Sequence, residues 1–493
     1  MAEYLLALDQ GTSSSRAFLF DRRARLLAAR QIAVPVHFQR PGWVEQDPLE
    51  IWRTQRDAAR AVLRDACTAD DRILGIGISN QRETTVVWDR ATLEPVGPAI
   101  GWQCRRTATV CRTLHASHGD AIRRITGLRA DPYFSGPKIA WLLDATAGTR
   151  ERAVAGDLAA GTIDSWLLAK LTNGAAHLTD ETNASRTLCY DIHTHGWNPS
   201  LCAAQEVPLS VLPEVTPSLG EFGVAAGEHL GREIPILAVA GDQQAALFGQ
   251  ACHQPGPAKV TYGTGAFLLA HTGGAAVGPV PGLLTTIAAG DGTPAYALEG
   301  SVLSAGAVVQ WLRDELHLIR ASHEIEALAA SAPDSGEVSL VPAFTGLGAP
   351  HWVPAARGLI AGLSRGTSAA QLARAALEAI AFRVREVVSA LDAARDAAVD
   401  ELRAGGDAAR NDLLLQIQAD TLQRPVVRPS EPETTALGAA LMAGVVAGVW
   451  PSVTATSDAW HPAKRFLPAG DLEATYNRWR RARDAAISLA RDA

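Results

Sequence analysis

Along the whole chain, short apolar runs of strand length alternate with longer stretches of helical period. That alternation marks an α/β protein, whose helices cover the faces of its sheets. Ile73-Leu-Gly-Ile-Gly-Ile78 is apolar throughout and predicts a buried strand, and Thr84-Thr-Val-Val-Trp88, rich in β-branched residues, predicts another. Residues 234–239 form a third such run, followed by the helix-like Gln243-Gln-Ala-Ala-Leu-Phe-Gly249. Ser368 and Gln371 make a capping box, after which apolar residues recur at Leu372, Ala376, Ile380, Val384, Val387 and Leu391. This spacing predicts a helix with one buried face. Residues 436–450 are mostly Ala and other apolar residues and are closed by Pro451. The run stops short of the roughly 20 residues that cross a bilayer, so it predicts a tightly packed internal helix and no membrane insertion.

The pattern breaks at His253-Gln-Pro-Gly-Pro257, where two prolines and a glycine interrupt any regular element. The break divides the chain into residues 1–253 and 254–493, and the two parts echo each other. Leu6-Ala-Leu-Asp-Gln-Gly-Thr-Ser-Ser-Ser-Arg-Ala-Phe-Leu-Phe20 is a pair of apolar strands joined by a Gly-Thr-Ser turn. Ala258-Lys-Val-Thr-Tyr-Gly-Thr-Gly-Ala-Phe-Leu-Leu-Ala270 repeats the arrangement. Two Gly-Thr hairpins, one opening each half, predict duplicated domains facing each other across a cleft.

Composition narrows the function. A chain of 493 residues is too long for one compact core, and 47% apolar residues support at least two. A net charge of -7 without any basic block leaves no footprint for nucleic acid. The six cysteines are irregularly spaced with no Cys-x-x-Cys, which argues against a zinc site or a disulfide scaffold and fits a reducing cytoplasm. The N-terminal residues carry acids where a signal peptide would carry bases.

The chemistry gathers at the strand ends. Arg82 and Glu83 interrupt two strand-like runs, and a fork of donors beside a carboxylate can clasp a molecule bearing several hydroxyls. A hairpin turn with a local ion pair would look the same in sequence. Gly11, Gly263 and Gly265 would let backbone approach a ligand, and Thr12, Ser13, Ser14 and Thr264 add donors. The two tips together favour a polyphosphate gripped from both sides. Asp9 would face that polyphosphate and requires a magnesium ion between them. None of the four lysines, at 138, 170, 259 and 464, follows a glycine, so there is no P-loop. Gly263-Thr-Gly265 does not extend to a dinucleotide fingerprint. Asp242, at the end of a strand and the start of a helix, can serve as a cap or as a base that takes a proton from an attacking hydroxyl.

These motifs resemble those of the glycerol kinases, within the family of carbohydrate kinases that share an actin-like, ribonuclease-H-like fold of two domains. The likeness runs nearly end to end. It is carried by Leu8-Asp-Gln-Gly-Thr-Ser-Ser-Ser-Arg16, Asn80-Gln-Arg-Glu-Thr-Thr85, Trp102-Gln-Cys-Arg-Arg-Thr107, Asp131-Pro-Tyr-Phe-Ser-Gly136, Thr182-Asn-Ala-Ser-Arg186 and Ala240-Gly-Asp-Gln-Gln-Ala245. The resemblance implies ATP-dependent phosphorylation of glycerol to sn-glycerol 3-phosphate. It places Arg82, Glu83, Tyr133, Asp242 and Gln243 on the polyol, with Asp242 as general base and Trp102 and Phe267 covering the carbon backbone. It places Thr12, Ser13, Ser14, Arg16, Thr264, Gly306, Gln310, Asp407 and Asn411 on ATP, and Asp9 on magnesium. It further implies a homo-oligomer. A kinase for another polyol or a ketose, and a non-catalytic actin-like ATP-binding switch, are the alternative readings.

One departure stands out. Where the family loop reads Asp-Gly-Gly, this chain reads Ala404-Gly-Gly-Asp407, so an acid replaces the second glycine near the nucleotide. An added negative charge there opposes phosphate binding. Asp407→Gly is therefore expected to lower the Michaelis constant for ATP in a kinase assay, and an unchanged constant would refute the inferred role of Asp407.

Overall fold

The computed structural model describes residues 2–68, 70–395 and 397–491. Its first sheet begins with the meander Glu3–Gln10 (β1), Ser14–Asp21 (β2) and Leu26–Ala33 (β3), all antiparallel. Helix α1, Pro48–Ala66, then returns the chain to Arg72–Asn80 (β4), which lies parallel to β1. Val224–Ala225 (β5) and Ile234–Gly241 (β6) complete the sheet in the order β5-β6-β4-β1-β2-β3. β6 runs parallel to β4 and passes directly into helix α2, Asp242–Gly249.

The second sheet repeats this plan. Ala258–Tyr262 (β7) and Ala266–Gly273 (β8) are the second hairpin, followed by Leu284–Ile287 (β9) and Tyr296–Val302 (β10). Helix α3, Gly306–Asp314, and the long helix α4, Ala369–Ala394, precede Leu402–Gly405 (β11). Helix α5, Asp412–Leu422, then leads to Val426–Pro429 (β12), helix α6, Thr434–Val446, and the edge strand Pro462–Phe466 (β13). The order is β9-β10-β8-β7-β11-β12-β13. In both sheets the first strand of the unit and the next two on one side are antiparallel, with two parallel strands on the other side; the second sheet adds one more antiparallel strand, β9, at its edge. This shared order is the duplication expected from the paired Gly-Thr hairpins.

Each central strand is buried on both faces, and its alternate side chains serve different layers. In β1, Leu6 and Leu8 pack in the core that includes Ile51 and Val62 of α1. Leu5 and Ala7 point the other way, into a core shared with Leu437 and Ala440 of α6. The predicted capping box at Ser368 and Gln371 is present and starts α4, whose Ala376, Ile380, Val384, Val387 and Leu391 are buried.

The run after residue 436 is the internal helix its composition predicts, but it packs in an unexpected place. α6 leaves the second sheet and lies on the first, against β4 and α2. A Cβ at Gly77 of β4 would stand 2.0 Å from the carbonyl oxygen of Ala439, and one at Gly438 would stand 1.9 Å from that of Ala245. Backbone meets backbone at both points, so only glycine fits. The division at 253/254 does not anticipate this crossing. The crossing seats α2, and with it Asp242, against α6.

Candidate active site

Beyond Asn80 the chain leaves the first sheet, and Thr85–Asp89 joins a separate sheet of four strands. The two strands are therefore not a hairpin. The link runs through Glu83, whose φ of 61° is left-handed. That conformation costs a non-glycine residue about 1–2 kcal/mol and needs support. Ser135 Oγ and Lys138 Nζ donate to the Glu83 carbonyl at 3.1 and 3.0 Å. Arg186 Nε donates to its carboxylate at 2.7 Å. Lys138 Nζ also donates to the Tyr133 carbonyl at 2.7 Å, so one buried ammonium fixes two candidate ligand residues.

Arg82 is only 2% exposed, and both of its terminal nitrogens donate hydrogen bonds. Nη1 donates to Glu299 at 2.7 Å and to Gln244 at 3.1 Å, and Nη2 donates to Glu299 at 3.0 Å and to the Tyr133 hydroxyl at 3.4 Å. Nε lies 3.5 Å from Asp242 Oδ1 and 3.7 Å from Glu83 Oε1. Arg186 Nη2 reaches the same Glu299 at 3.1 Å. Arg82, Glu299, Arg186 and Glu83 thus form a buried chain of alternating charge that joins the two halves. Burial pushes the Glu299 carboxyl up, but Arg186 and Arg82 more than reverse this and hold it at about 2. Burial likewise opposes the Arg82 charge, and Glu299 and Glu83 outweigh it.

Asp242 is the first residue of α2 and keeps 32% of its side chain exposed. The Gln243 backbone N–H donates to Oδ1 at 2.7 Å, and Gln243 Nε2 donates to Oδ2 at 3.1 Å. Burial raises the Asp242 carboxyl to about 6, with Arg82 and Lys259 restraining the rise and Glu83 and Asp9 adding to it. The result is an accessible carboxylate more basic than a free one.

An apolar wall stands beside this polar edge. The Trp102 ring centre is 5.7 Å from that of Tyr133 and 6.3 Å from that of Phe267, both edge-on. Trp102 Nε1 donates to the Thr12 hydroxyl at 2.9 Å. Because Thr12 stands at the first hairpin tip and Phe267 on β8, one indole touches both hairpins. Arg82, Glu83, Tyr133, Asp242, Gln243, Trp102 and Phe267 are therefore brought together.

The candidate nucleotide residues fall into separate groups. Asp9 Oδ1 accepts from Ser79 at 2.8 Å while Oδ2 pairs with Arg16, whose Nη1 donates to Glu433 at 2.9 Å. Asp407 is exposed, and its charge acts on both Arg16 and Glu433. Ser13 lies in the first turn, and buried Ser14 opens β2, its carbonyl accepting from the Gly11 N–H at 2.9 Å. At the second tip the Thr264 carbonyl accepts from the N–H groups of Ala305 and Ala307, and the Gly306 N–H donates to Gly263. Gln310 is exposed one turn along α3. Asn411 caps α5, its Oδ1 accepting from the Leu414 N–H at 2.8 Å. Among the described residues no hydrogen bond joins the Thr264 group to Arg16 or Asp407. The glycines also divide. Gly263 is open, whereas a Cβ at Gly265 would stand 2.5 Å from the Val302 carbonyl oxygen, so strand packing demands that glycine before any ligand does.

No three His, Cys, Asp or Glu residues gather into a metal site among the described residues. Magnesium needs only one or two carboxylates when phosphates and waters complete its shell, and the single buried Asp9 fits that donor set.

Four residues of the site, Glu299, Arg186, Lys138 and Lys259, are given no place in the site by the sequence reading. The lysines did leave a signal. The chain has four lysines among 45 basic residues, and two of the four are fully buried here. A chain that uses arginine nearly everywhere keeps lysine where only a compact ammonium fits.

The geometry is that of a kinase that pairs a small polyhydroxylated acceptor with a nucleotide, and comparison with known proteins agrees. Residues 4–249 match the FGGY family of carbohydrate kinases, N-terminal domain, and residues 258–447 match the C-terminal domain of the same family. The chain belongs to the FGGY family of carbohydrate kinases. It is 54% identical to the glycerol kinase of Delftia acidovorans over 474 residues, 95% of each chain. It is 52% identical to that of Acidovorax sp. strain JS42, over 98% of this chain and 99% of the other. The crystal structure of Plasmodium falciparum glycerol kinase with ADP superposes with a TM-score of 0.91 at 34% identity, covering 99% of this chain and 98% of that one. A gluconate kinase from Lactobacillus acidophilus, at 21% identity and a TM-score of 0.89, shares the fold.

Removing one member of a fully buried ion network leaves uncompensated charge. Glu299→Leu is expected to cost about 3–5 kcal/mol of stability, read as a lowered midpoint of denaturant unfolding; a loss within the range of a surface change would show that the network carries no such weight.

Proposed function

We propose that this kinase transfers the γ-phosphoryl group of ATP to glycerol and releases sn-glycerol 3-phosphate and ADP. The observation that carries the proposal is the convergence of Arg82, Glu83, Tyr133 and Asp242 on one side of the Trp102–Phe267 wall. A three-carbon polyol has the matching character, with hydroxyls along one edge and C–H groups on the other. The identity of 50% or more to glycerol kinases over nearly the whole chain supports the choice among polyols.

In this reading Glu83 accepts from a hydroxyl and Arg82 donates to one, while Asp242 receives the proton of the hydroxyl that attacks the γ-phosphorus. Positioning and charge neutralisation supply most of the acceleration, and Asp242 supplies the proton acceptor. Thr12, Ser13, Ser14 and Arg16 approach the phosphates from the first hairpin, and Thr264, Gly306 and Gln310 from the second half. Asp407 and Asn411 flank the adenosine side. Magnesium held at Asp9, directly or through water, would neutralise charge on the phosphates.

The same proposal covers a homo-oligomer and a cytoplasmic enzyme. Six free cysteines, five of them buried, support a reducing compartment. Among the described residues no helix is long and apolar enough to cross a membrane.

The decisive experiment is coupled ADP release over glycerol, erythritol, xylulose, gluconate and dihydroxyacetone. Glycerol is expected to give the highest kcat/KM, and turnover stimulated by none of them would defeat the kinase reading of the site. Asp242→Asn is expected to reduce kcat by about 100-fold or more with glycerol affinity retained. Because a base must be deprotonated, wild-type kcat should fall as pH drops through about 6, the raised pKa of Asp242; near-normal turnover in the variant would remove Asp242 from the role.

A further inference from the structure

We infer that Lys259 is a positioning residue for Asp242, acting through the side-chain amide of Gln243. This inference rests on the kinase reading above and adds a component from the second half of the chain. Ala258, Val260 and Tyr262 of β7 face the second core, which turns the intervening Lys259 and Thr261 to the opposite side, toward α2. The Lys259 side chain is fully buried there. Its Nζ donates to Gln243 Oε1 and, at 3.1 Å, to Thr261 Oγ1.

An ammonium only donates, and an ionised carboxylate only accepts. An amide placed between them has one favourable orientation, its oxygen toward Lys259 and its NH2 toward Asp242. The reverse would set NH2 against NH3+ and a carbonyl against a carboxylate. Lys259 therefore holds Gln243 Nε2 on Asp242 Oδ2, while the Gln243 backbone N–H and Arg82 Nε address Oδ1. The carboxylate is fixed in rotation by groups on both of its oxygens. Because Lys259 belongs to the second sheet and α2 follows the first, the base is fully oriented only when the two halves are together.

Lys259 also acts through its charge. Arg82, Glu83, Lys259 and Asp9 face Asp242, and Asp242, Arg82, Glu299 and Cys252 face Lys259. Burial weakens the ionised form of both partners, and their mutual attraction opposes this in each. Removing the Lys259 charge should make Asp242 harder to ionise.

Two variants separate orientation from charge. Lys259→Met removes both, and is expected to lower kcat about 10-fold to 100-fold with little change in the glycerol Michaelis constant. It should also move the acidic limb of the kcat profile to higher pH. Lys259→Gln returns a donor without the charge, so it should recover most of kcat above that limb while the limb stays displaced. If Lys259→Met does not fold cooperatively, Lys259→Gln carries the test through its displaced limb. A 13C titration of the Asp242 carboxyl in the wild type and the variants reads the same coupling without turnover. Wild-type kcat with an unmoved Asp242 titration in the variants would overturn the role of Lys259. A wild type that phosphorylates no polyol would instead defeat the kinase reading, and the carboxyl titration would still decide whether Lys259 acts on Asp242.

Discussion

The buried pair of Arg82 and Glu299 is the contact on which the rest of the structure turns. Taking two charges out of water costs several kcal/mol for each, and the cost is offset only when every donor and acceptor is matched at close range. Glu299 stands on a strand of the second sheet and Arg82 just beyond a strand of the first. Matching them fixes the separation of the two halves at this point. Glu299 also engages Arg186, and Arg186 engages Glu83, so one network sets the domain spacing and the strained backbone at Glu83 together. Nε, the one side-chain nitrogen of Arg82 not committed to Glu299, lies beside Asp242, and Nη2 reaches the Tyr133 hydroxyl as well as Glu299, which is how an interdomain lock also becomes the edge of the candidate site.

Around that lock the site sorts its chemistry by direction. Hydrogen-bonding groups line one edge, aromatic rings cover the other, and the hairpin tips stand where the two meet. Trp102 joins the three, through its bond to Thr12 and its contacts with Tyr133 and Phe267. In the proposed reaction Asp242 would stand at the junction of the acceptor and phosphate sides. Its surroundings raise its basicity while leaving a third of it accessible, which suits a group that must take a proton and later release it.

Much of this was legible in the sequence because it is local. Alternating apolar runs, the Ser368 capping box and the Gly-Thr hairpins are short-range patterns that encode strands, a helix start and tight turns without reference to distant residues. The clustering of Arg82, Glu83, Tyr133 and Asp242 was anticipated through resemblance, since Tyr133 and Asp242 lie 50 or more residues beyond the adjacent Arg82 and Glu83 and nothing in that spacing brings them together. Two points lay beyond the local pattern. The strands flanking Arg82 and Glu83 belong to different sheets, and Gly265 answers to the Val302 carbonyl rather than to a ligand alone. In both cases a distant strand decided what the local pattern left open.

By itself, then, the sequence determined the α/β class, the doubling of the hairpin and the polar clusters at the strand ends, because these depend on periodicity and turn chemistry within a few residues. Only the tertiary structure decided that α6 crosses back to the first sheet, that Glu299 and Arg186 complete the charge chain, and that Lys259 reaches Gln243. Those contacts join residues 217 positions apart at Arg82 and Glu299, and farther apart still where Ala439 of α6 meets Gly77. Burial makes them strong, and burial is a property of the folded whole that no short stretch of chain records.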